Sequence, residues 1–202
     1  LSLELEDQNL KDYTEVIIQE ADRLRSLLDQ MLGPNKSAQK SPLNIHEVLE
    51  RVSSLISSEA GKTIQICKDY DPSIPDVIGN SEHLIQAVLN IARNALQALN
   101  TLPSEHTKKI TLVTRTIRQV TLGSKRHRIV CQINICDNGP GIPHELQDSI
   151  FYPMITNRAE GTGLGLTIAQ QIINQHEGLI EYSSEPGSTC FTIFIPIHEG
   201  ES

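Results

Sequence analysis

The stretch SEHLIQAVLNIARNALQAL, residues 81–99, carries two kinds of side chain at helical spacing. An apolar set recurs at steps of three and four, namely Leu84, Val88, Ala92, Ala95 and Leu99. An amide set follows a second line with similar steps, namely Gln86, Asn90, Asn94 and Gln97. Residues at these steps share one face of an α-helix. The sequence therefore predicts a helix that packs through its apolar face and presents a row of amides on another.

Two asparagines in this row, Asn90 and Asn94, need a reason to be there. Asparagine is a mediocre helix former, because its side chain competes for local backbone hydrogen bonds. One explanation is a solvated polar stripe or a buried amide network. The other is that the carboxamide oxygens face a Mg²⁺ ion carried by a nucleotide, since Mg²⁺ prefers oxygen ligands and shares them with phosphates. Helical spacing alone leaves both explanations open.

A second informative stretch is INICDNGPGIP, residues 133–143. Alternate apolar residues of the strand-like run share one parity, and Asp137 continues it. The carboxylate is therefore predicted to point to the buried side, where the strand gives way to a turn that contains Gly139 and Gly141. A carboxylate on an apolar face needs a hydrogen-bond donor, and an adenine amino group would be one. An acidic turn of this composition is otherwise often only a turn.

A third stretch, TNRAEGTGLGLT at residues 156–167, places Gly161, Gly163 and Gly165 at the start of an apolar helical pattern. Its spacing does not fit the dinucleotide motif GxGxxG, and GKT at residues 61–63 lacks the earlier glycine of a phosphate-binding P-loop. Free backbone N–H groups and the positive end of the helix dipole would suit a polyphosphate there. A hinge explains the glycines equally well.

Strands and helices alternate through the rest of the pattern. Two long strands are predicted over residues 109–118 and 128–136, joined as a hairpin near residues 122–127. Further strands are predicted near 43–45 and over 63–68, 179–183 and 189–196, and further helices around 49–56 and over 163–176. A mixed sheet with apolar helix stripes to cover one face predicts an α/β two-layer sandwich.

The N-terminal part has a different pattern. Apolar residues between Leu10 and Met31 recur at alternating steps of four and three, which is typical of one helix of a bundle. The following GPNKSAQKSP has the composition of a helix stop and linker. We predict a partial dimerisation helix within residues 1–32, a linker at 33–42 and a domain at 43–198. Because the chain starts without a methionine, we expect it to be a fragment of a longer protein.

Composition limits the class of partner. A formal net charge of −8 over 202 residues argues against nucleic acid, because phosphate contacts require clustered Lys and Arg. No apolar run is long enough to cross a bilayer, so no membrane contact is predicted. The four cysteines form no CxxC pair, which predicts reduced core thiols in a cytoplasmic protein.

Together and in this order, the stretches resemble the ATP-binding domain of sensor histidine kinases, in the group that also includes gyrase, Hsp90 and MutL. NIARNALQA resembles the N box of that family, DNGPGI the G1 box, FYPMIT the F box and GTGLGL the G2 box, and GSTCFTIFIP resembles the closing strand. EADRLRSLLDQMLGP, KDYDPSIP and DNGPGIPHELQDSIFYPMIT are most similar to the sensor kinases of nitrogen regulation. The resemblance implies a Bergerat-type fold with ATP and Mg²⁺ as cofactors.

The resemblance also implies roles for residues. Asn94 would be the Mg²⁺ ligand with Asn90 beside it, and Asp137 would bind the adenine amino group. Residues 151–158 would belong to the ATP lid, and Arg158 would contact the γ-phosphate in catalysis, although a solvated arginine is an open alternative. The full implied ATP-binding set is Asn90, Asn94, Gln97, Asp137, Gly139, Gly141, Ile142, Tyr152, Thr156, Arg158, Gly161, Thr162, Gly163, Leu164, Gly165, Leu166 and Thr189.

One departure bears on the reaction. The hydrolysing members of the group begin the N box with a glutamate that activates water, and this chain has Asn90 there. A carboxamide cannot act as a general base, so phosphoryl transfer to a protein side chain is expected rather than hydrolysis. An ATPase clamp and a nucleotide-sensing module without catalysis remain the alternative functions.

A second departure concerns the phosphate acceptor. The family's His box is absent, since His46 is followed by an acidic residue but lacks the characteristic proline, and His83 lies within the predicted helix over residues 81–99. The resemblance implies that the γ-phosphoryl group goes to a His on a missing helix and then to an aspartate of a response regulator. The fragment alone is therefore not expected to phosphorylate itself. The implied partners are a second kinase copy through the dimerisation helices, a response regulator of the NtrC type and the PII signalling protein.

Overall fold

A computed structural model of the chain describes residues 39–155 and 163–197. The strands are β1 (Ser41–Leu43), β2 (Ile64–Asp69), β3 (Val77–Gly79), β4 (Lys108–Leu122), β5 (Lys125–Asp137), β6 (Leu179–Glu185) and β7 (Ser188–Pro196). The helices are α1 (Ile45–Ala60), α2 (Ser81–Asn100), α3 (His144–Gln147) and α4 (Gly165–Gln175). The predicted bundle helix and most of the predicted linker lie outside the described residues, so the division into domains stays a prediction.

Five of the strands form one mixed sheet in the order β2-β4-β5-β7-β6. The pair β2 and β4 is parallel and the other pairs are antiparallel. A parallel pair needs a long crossover, which β3 and α2 provide between β2 and β4. The strands β1 and β3 form a separate antiparallel pair. The predicted α/β sandwich with a mixed sheet is thereby confirmed.

The core lies between this sheet and the helices. On β4 and β5 the residues of one parity are buried, including Ile110, Leu112, Ile133 and Ile135. The helix α2 contacts both strands and packs between α1 and α4. It buries the whole predicted apolar stripe, and each large side chain so buried contributes roughly 1.5–3 kcal/mol. No helix in residues 39–155 and 163–197 is both long and apolar enough to cross a membrane.

Asparagine side chains set the starts of the two longest helices. Asn44 Oδ1 accepts a hydrogen bond of 2.9 Å from the backbone N–H of His46, and Asn80 Oδ1 accepts one of 3.0 Å from that of His83. Each cap satisfies an N–H group that has no partner within its helix, which is typically worth about 1 kcal/mol. The cap at Asn44 explains why residue 45, predicted to be in a strand, is the first residue of α1; the strand β1 lies earlier than predicted, at Ser41–Leu43, where it pairs with β3.

Other element bounds also differ from the prediction. The strand β3 and the helix α3 were not predicted, because three or four residues are too few to show a period. The helix α4 begins at Gly165 rather than at residue 163, because Gly163 has a φ of 65°, outside the right-handed helical region. Both strands of the β4–β5 hairpin extend closer to the turn than predicted, since β4 ends at Leu122 and β5 begins at Lys125.

The cysteines correct one expectation. Cys136 on β5 and Cys190 on β7 are directly opposite each other in the sheet and are joined by a disulfide. The prediction of reduced thiols is therefore wrong for this pair, while Cys67 and Cys131 are free. The sequence did not reveal the pair because 54 residues separate the two positions, and only the strand register brings them together.

Candidate functional site

The helix α2 carries a line of three half-buried positions, Asn90, Asn94 and Ala98, each four residues after the last. Asn90 Nδ2 donates a hydrogen bond of 3.1 Å to the carbonyl oxygen of Gly165, the first residue of α4. Eight residues further on, Ala98 lies against Gly139, where a Cβ atom would come within 3.4 Å of the Ala98 Cβ. These two contacts are about 12 Å apart along the helix. Asn94 therefore lies midway between the start of α4 and the turn after β5.

The turn after β5 is organised by Asp137. Its Oδ1 accepts a hydrogen bond of 2.8 Å from the backbone N–H of Gly139, and the residue is only 6% exposed. Burial raises the pKa of Asp137 to about 6, and the Gly139 N–H partly opposes that rise. The side chain points to the buried face, as its parity predicted. It is thus a partly desolvated acceptor at the edge of the core.

Two glycines allow this turn to lie close to its neighbours. A Cβ atom at Gly139 would lie 2.6 Å from Asp137 Oδ1. Gly141 has a φ of 87°, and a Cβ atom there would lie 3.0 Å from the carbonyl carbon of Glu185. The carbonyl oxygen of Gly139 accepts a hydrogen bond of 2.9 Å from the backbone N–H of Gly187. The turn is therefore held against the β6–β7 turn by backbone contacts that leave no space for side chains.

Thr189 is the residue opposite Asp137 on β7, and Ser184 is opposite Thr189 on β6. Directly opposite residues in antiparallel strands point to the same side of the sheet. The hydroxyls of Ser184 and Thr189 are 3.0 Å apart, and Ser184 Oγ accepts a hydrogen bond of 2.8 Å from the backbone N–H of Ile142. A row of three polar side chains thus crosses three strands beside the turn. Ser184 was not predicted, although the alternation Ile180, Tyr182, Ser184 could have revealed it.

The described residues just before 156 are hydrogen-bonded to the described residues at and after 163. The carbonyl oxygen of Gly163 accepts a hydrogen bond of 3.1 Å from the backbone N–H of Met154. A Cβ atom at Gly163 would lie 2.6 Å from the Met154 carbonyl carbon, so only glycine fits. Thr167 Oγ1 donates a hydrogen bond of 3.0 Å to the carbonyl oxygen of Phe151. These bonds attach the residues that precede the segment 156–162 to the first turns of α4.

The start of α4 has the properties of an anion site. The helix has eleven residues and no acidic residue in its first turn, so no carboxylate of that turn opposes an anion at the positive end of its dipole. Leu164 precedes the helix and is buried, while Gly165 and Leu166 are half-buried. An anion bound here would lie beside Asn90, whose side chain contacts the carbonyl oxygen of Gly165.

The structure describes the other predicted site residues unevenly. Asn94 is half-buried and has no hydrogen-bond partner in the part of the chain that the structure describes, while Gln97 is exposed. Tyr152 is 64% exposed, and Ile142 reaches the row of Asp137 and Thr189 through its backbone N–H, which donates to Ser184. The predicted contacts Thr156, Arg158, Gly161 and Thr162 lie outside the described residues.

The donor chemistry around Asn94 fits Mg²⁺. The carboxamide oxygen is a hard ligand of the kind that Mg²⁺ uses together with substrate phosphates. Within residues 39–155 and 163–197, no three His, Cys, Asp or Glu side chains are grouped as a metal-binding cluster. Asn94 would therefore be one protein ligand to an ion whose other ligands come from a nucleotide and water.

Comparisons with known proteins identify the family of the chain. The profile of the family described as "Histidine kinase-, DNA gyrase B-, and HSP90-like ATPase" matches residues 79–199. The chain is 48% identical over 193 residues to the sensory histidine kinase/phosphatase NtrB of Vibrio alginolyticus, covering 96% of this chain and 54% of that protein. It is 48% identical over 199 residues to NtrB of Salmonella typhimurium, covering 98% and 56%. The chain spans about half the length of these curated relatives.

Solved structures show the same fold. The catalytic domain of histidine kinase ThkA superposes with a TM-score of 0.64 at 26% identity, over 78% of this chain and 95% of that one. The ThkA structure in complex with response regulator protein TrrA has a TM-score of 0.67 at 24% identity, over 94% of this chain and 52% of that one. The resemblance to sensor histidine kinases, and to NtrB among them, is confirmed.

Proposed function

Because the chain belongs to the histidine kinase-, DNA gyrase B- and HSP90-like ATPase family, we propose that it is the catalytic ATP-binding region of an NtrB-like sensor histidine kinase. The observation that supports this most directly is the position of Asn94. It lies between a partly desolvated acceptor, Asp137, and the start of α4, whose first turn has no acidic residue. A nucleotide with its base at one end and its phosphates at the other would span these two features.

The base would bind beside Asp137 and Thr189. Asp137 accepts hydrogen bonds as a carboxylate, and Thr189 is a buried hydroxyl directly opposite it. An exocyclic amino group would supply the donor that a desolvated carboxylate requires. Glycine at residues 139 and 141 lets the turn pack against Asp137 and the β6–β7 turn, which would hold the carboxylate in place for the base. The proposed base is therefore adenine.

The phosphates would bind at the start of α4 with Asn94 and Asn90 facing them. Asn90 keeps its Nδ2 on Gly165 and thereby orients the first turn of α4. Asn94 would hold Mg²⁺ through its carboxamide oxygen. The ion, when bound, supplies charge neutralisation on the phosphate oxygens. Arg158 would add a guanidinium contact to the γ-phosphate.

The reaction would be phosphoryl transfer to a histidine and then to an aspartate of a response regulator. Catalysis of such transfer depends mainly on positioning and electrostatic stabilisation, which the residues above would supply. Asn90 stands where the hydrolysing members of the family carry a glutamate, and an amide cannot take a proton from water. Transfer is therefore favoured over an ATPase clamp.

The whole protein's partners and location are part of this proposal. The names of the relatives, together with a ThkA structure that holds a response regulator, support a two-component system. We propose a role in nitrogen regulation, a response regulator of the NtrC type, the PII signalling protein and a second kinase copy as partners, and a cytoplasmic location. In a cytoplasm, the Cys136–Cys190 bond would meet a reducing thiol pool.

Calorimetric titration with a non-hydrolysable ATP analogue tests the site. We expect Asn94→Ala to weaken binding at least tenfold with Mg²⁺ present and much less with a chelator, because it removes a metal ligand. We expect Asp137→Asn to weaken binding of adenine nucleotides in both conditions. Asn100→Ala and Asp76→Asn, both exposed positions, are the matched controls. Wild-type affinity in both site variants would contradict the proposed site.

Labelling with γ-labelled ATP tests the reaction. The chain alone should acquire no acid-labile phosphate, whereas a histidine-bearing bundle helix added in trans should acquire it. Steady release of inorganic phosphate without transfer would favour the ATPase clamp. Tight ATP binding with neither transfer nor release would favour a nucleotide-sensing module.

A further inference from the structure

We propose that Ser184 is a positioning residue that directs the hydroxyl proton of Thr189 toward the nucleotide base. This inference rests on the proposed function, because it assigns a role within the proposed adenine site. Ser184 lies on β6, outside the boxes of the family resemblance. Its role follows from its hydrogen bonds and from its place in the sheet.

Ser184, Thr189 and Asp137 form one row across β6, β7 and β5. Asp137 and Thr189 are 6% and 5% exposed, so their polar atoms have little access to water. Polar groups in such positions are nearly always hydrogen-bonded. The hydrogen bonds that Thr189 makes within the protein therefore decide whether its hydroxyl offers a ligand a proton or a lone pair.

A serine hydroxyl has one proton to donate and two lone pairs to accept with. Ser184 Oγ uses one lone pair for the backbone N–H of Ile142, at 2.8 Å. Its second neighbour is Thr189 Oγ1, at 3.0 Å, and it has no third partner among residues 39–155 and 163–197. The proton of Ser184 thus has one acceptor within the described structure, which is the oxygen of Thr189.

Donation from Ser184 to Thr189 leaves the proton of Thr189 free to be donated in turn. The row then presents a donor at Thr189 beside an acceptor at Asp137. Adenine has the complementary arrangement, since its amino group is a donor and the ring nitrogens on either side of it are acceptors. If Thr189 donated to Ser184 instead, Thr189 would present only an acceptor beside Asp137, and the free proton would lie on Ser184. Ser184 therefore makes the row selective for a base with an acceptor next to its amino group.

Mutation of Ser184 tests the role with a matched control. Ser184→Ala should lower the affinity for the ATP analogue about 5- to 30-fold, the effect of one or two buried hydrogen bonds. Ser183→Ala is the control, because Ser183 is the adjacent residue, is exposed and has the opposite parity. Ser184→Thr retains the hydroxyl and should recover most of the affinity. Equal affinity of Ser184→Ala and wild type would overturn the proposal.

A double-mutant cycle distinguishes this role from general support of the turn. If Ser184 acts through Thr189, then Ser184→Ala should change the affinity less than twofold in a Thr189→Val background. Full and equal losses in both backgrounds would overturn the proposal. If Asp137→Asn and Thr189→Val both leave the affinity unchanged, the proposed function is wrong. If these two weaken binding and Ser184→Ala does not, only the role of Ser184 is wrong.

Nucleotide analogues test the same role first in the unmodified protein, where folding is not in question, and then in Ser184→Ala. Of 1-deaza-ATP and 7-deaza-ATP, each of which lacks one ring acceptor beside the amino group, at least one should bind more weakly than ATP by a factor similar to that of Thr189→Val. In Ser184→Ala, the weakened analogue and ATP should bind with similar affinities. Wild-type binding of both analogues with the affinity of ATP would overturn the proposal.

Discussion

Asn90 on α2 is joined to Gly165 at the start of α4 by a hydrogen bond of 3.1 Å from its side-chain amide. This contact explains an asparagine in the middle of a helix, where its intrinsic propensity is poor. It uses the Nδ2 group, and the carboxamide oxygen has no hydrogen-bond partner within residues 39–155 and 163–197, so that oxygen could serve the proposed phosphate site. The two explanations of the amide row are therefore compatible at this residue. One atom joins two helices and the other is available to a ligand or ion.

Removal of this contact should lower both the stability of the domain and its affinity for the nucleotide. Asn90→Ala is expected to lower the free energy of unfolding of the ligand-free domain by about 0.5–1.5 kcal/mol, because one half-buried hydrogen bond is lost. It should also weaken binding of the ATP analogue, since the first turn of α4 loses its tether. Chemical denaturation and calorimetry measure the two effects. Asn100→Ala at the exposed end of α2 should change neither, and wild-type values for Asn90→Ala would contradict this role.

Asp137 should make the ligand-free domain dependent on pH. Its pKa is raised to about 6 by burial, above an ordinary value of 3.8, so the folded state holds the proton more tightly than the unfolded state. The resulting stability is present below pH 4 and is lost as the pH rises through 6. Asp137→Asn keeps the shape without the charge, so it should be more stable than wild type by about 1–2 kcal/mol at pH 7–8.

Denaturation of both proteins between pH 4 and pH 8 measures that difference, which should shrink toward pH 4. Binding should have the opposite dependence: the affinity of wild type for the ATP analogue should fall as the pH drops through 6, because protonation removes the acceptor for the amino group. Asp76→Asn, at an exposed site, controls for the loss of one charge. Parallel stability curves for Asp137→Asn and wild type would exclude this account of the carboxyl.

His176 should give the stability of the domain the opposite pH dependence, with stability lost at low pH rather than at high pH. Its Nδ1–H donates a hydrogen bond of 2.7 Å to the carbonyl oxygen of Ile172, and its Nε2 accepts one of 3.0 Å from the backbone N–H of Asn80. Both hydrogen bonds together therefore require the neutral imidazole. Burial lowers the pKa of His176 below its usual value of 6.5; the bond to Ile172 partly opposes this, and the nearby charges of Lys40 and His83 add to the lowering.

Since protonation would break the bond from Asn80, the folded state binds this proton less readily than the unfolded state. Stability contributed by His176 is therefore present above pH 6.5 and lost as the pH falls below it. His176→Gln should flatten that part of the curve and lower the stability at pH 8. His106→Gln, on an exposed loop, should leave the curve unchanged. A wild-type curve without any loss below pH 6.5, after allowance for Asp137, would refute the prediction.

The glycine at residue 141 should be far less replaceable than a glycine of similar conformation elsewhere. Gly141→Ala meets both a φ of 87° and the backbone of Glu185 at 3.0 Å, so a loss of about 2–4 kcal/mol is expected. Gly123→Ala in the β4–β5 turn has a φ of 59° with no atom within 4 Å, so only the backbone preference is lost, about 1 kcal/mol. Thermal unfolding compares the two variants. Equal losses of stability would mean that the backbone of Glu185 can move away from the new Cβ atom without destabilising the fold.

Much of the site could be predicted from local patterns, and the reasons are visible in particular residues. The apolar stripe of α2 and the inward parity of Asp137 follow from periods of 3.6 and 2, which a sequence displays directly. The short elements β3 and α3 left no period to read. The start of α4 was misplaced by two residues because its position depends on the backbone of Gly163, which in turn depends on a contact with Met154.

By itself, the sequence determined the class of fold, the family and the candidate residues, because helical and strand periodicity and short motifs are written in neighbouring positions. Only the tertiary structure decided which of these residues meet. Strand register placed Ser184 and Thr189 in the row of Asp137 and joined Cys136 to Cys190, and helix packing attached Asn90 to Gly165. These pairs are distant in sequence, and a strand shifted by one residue would turn every side chain to the other face. Register therefore decides the chemistry of the site, and it is set by the whole sheet rather than by any one strand.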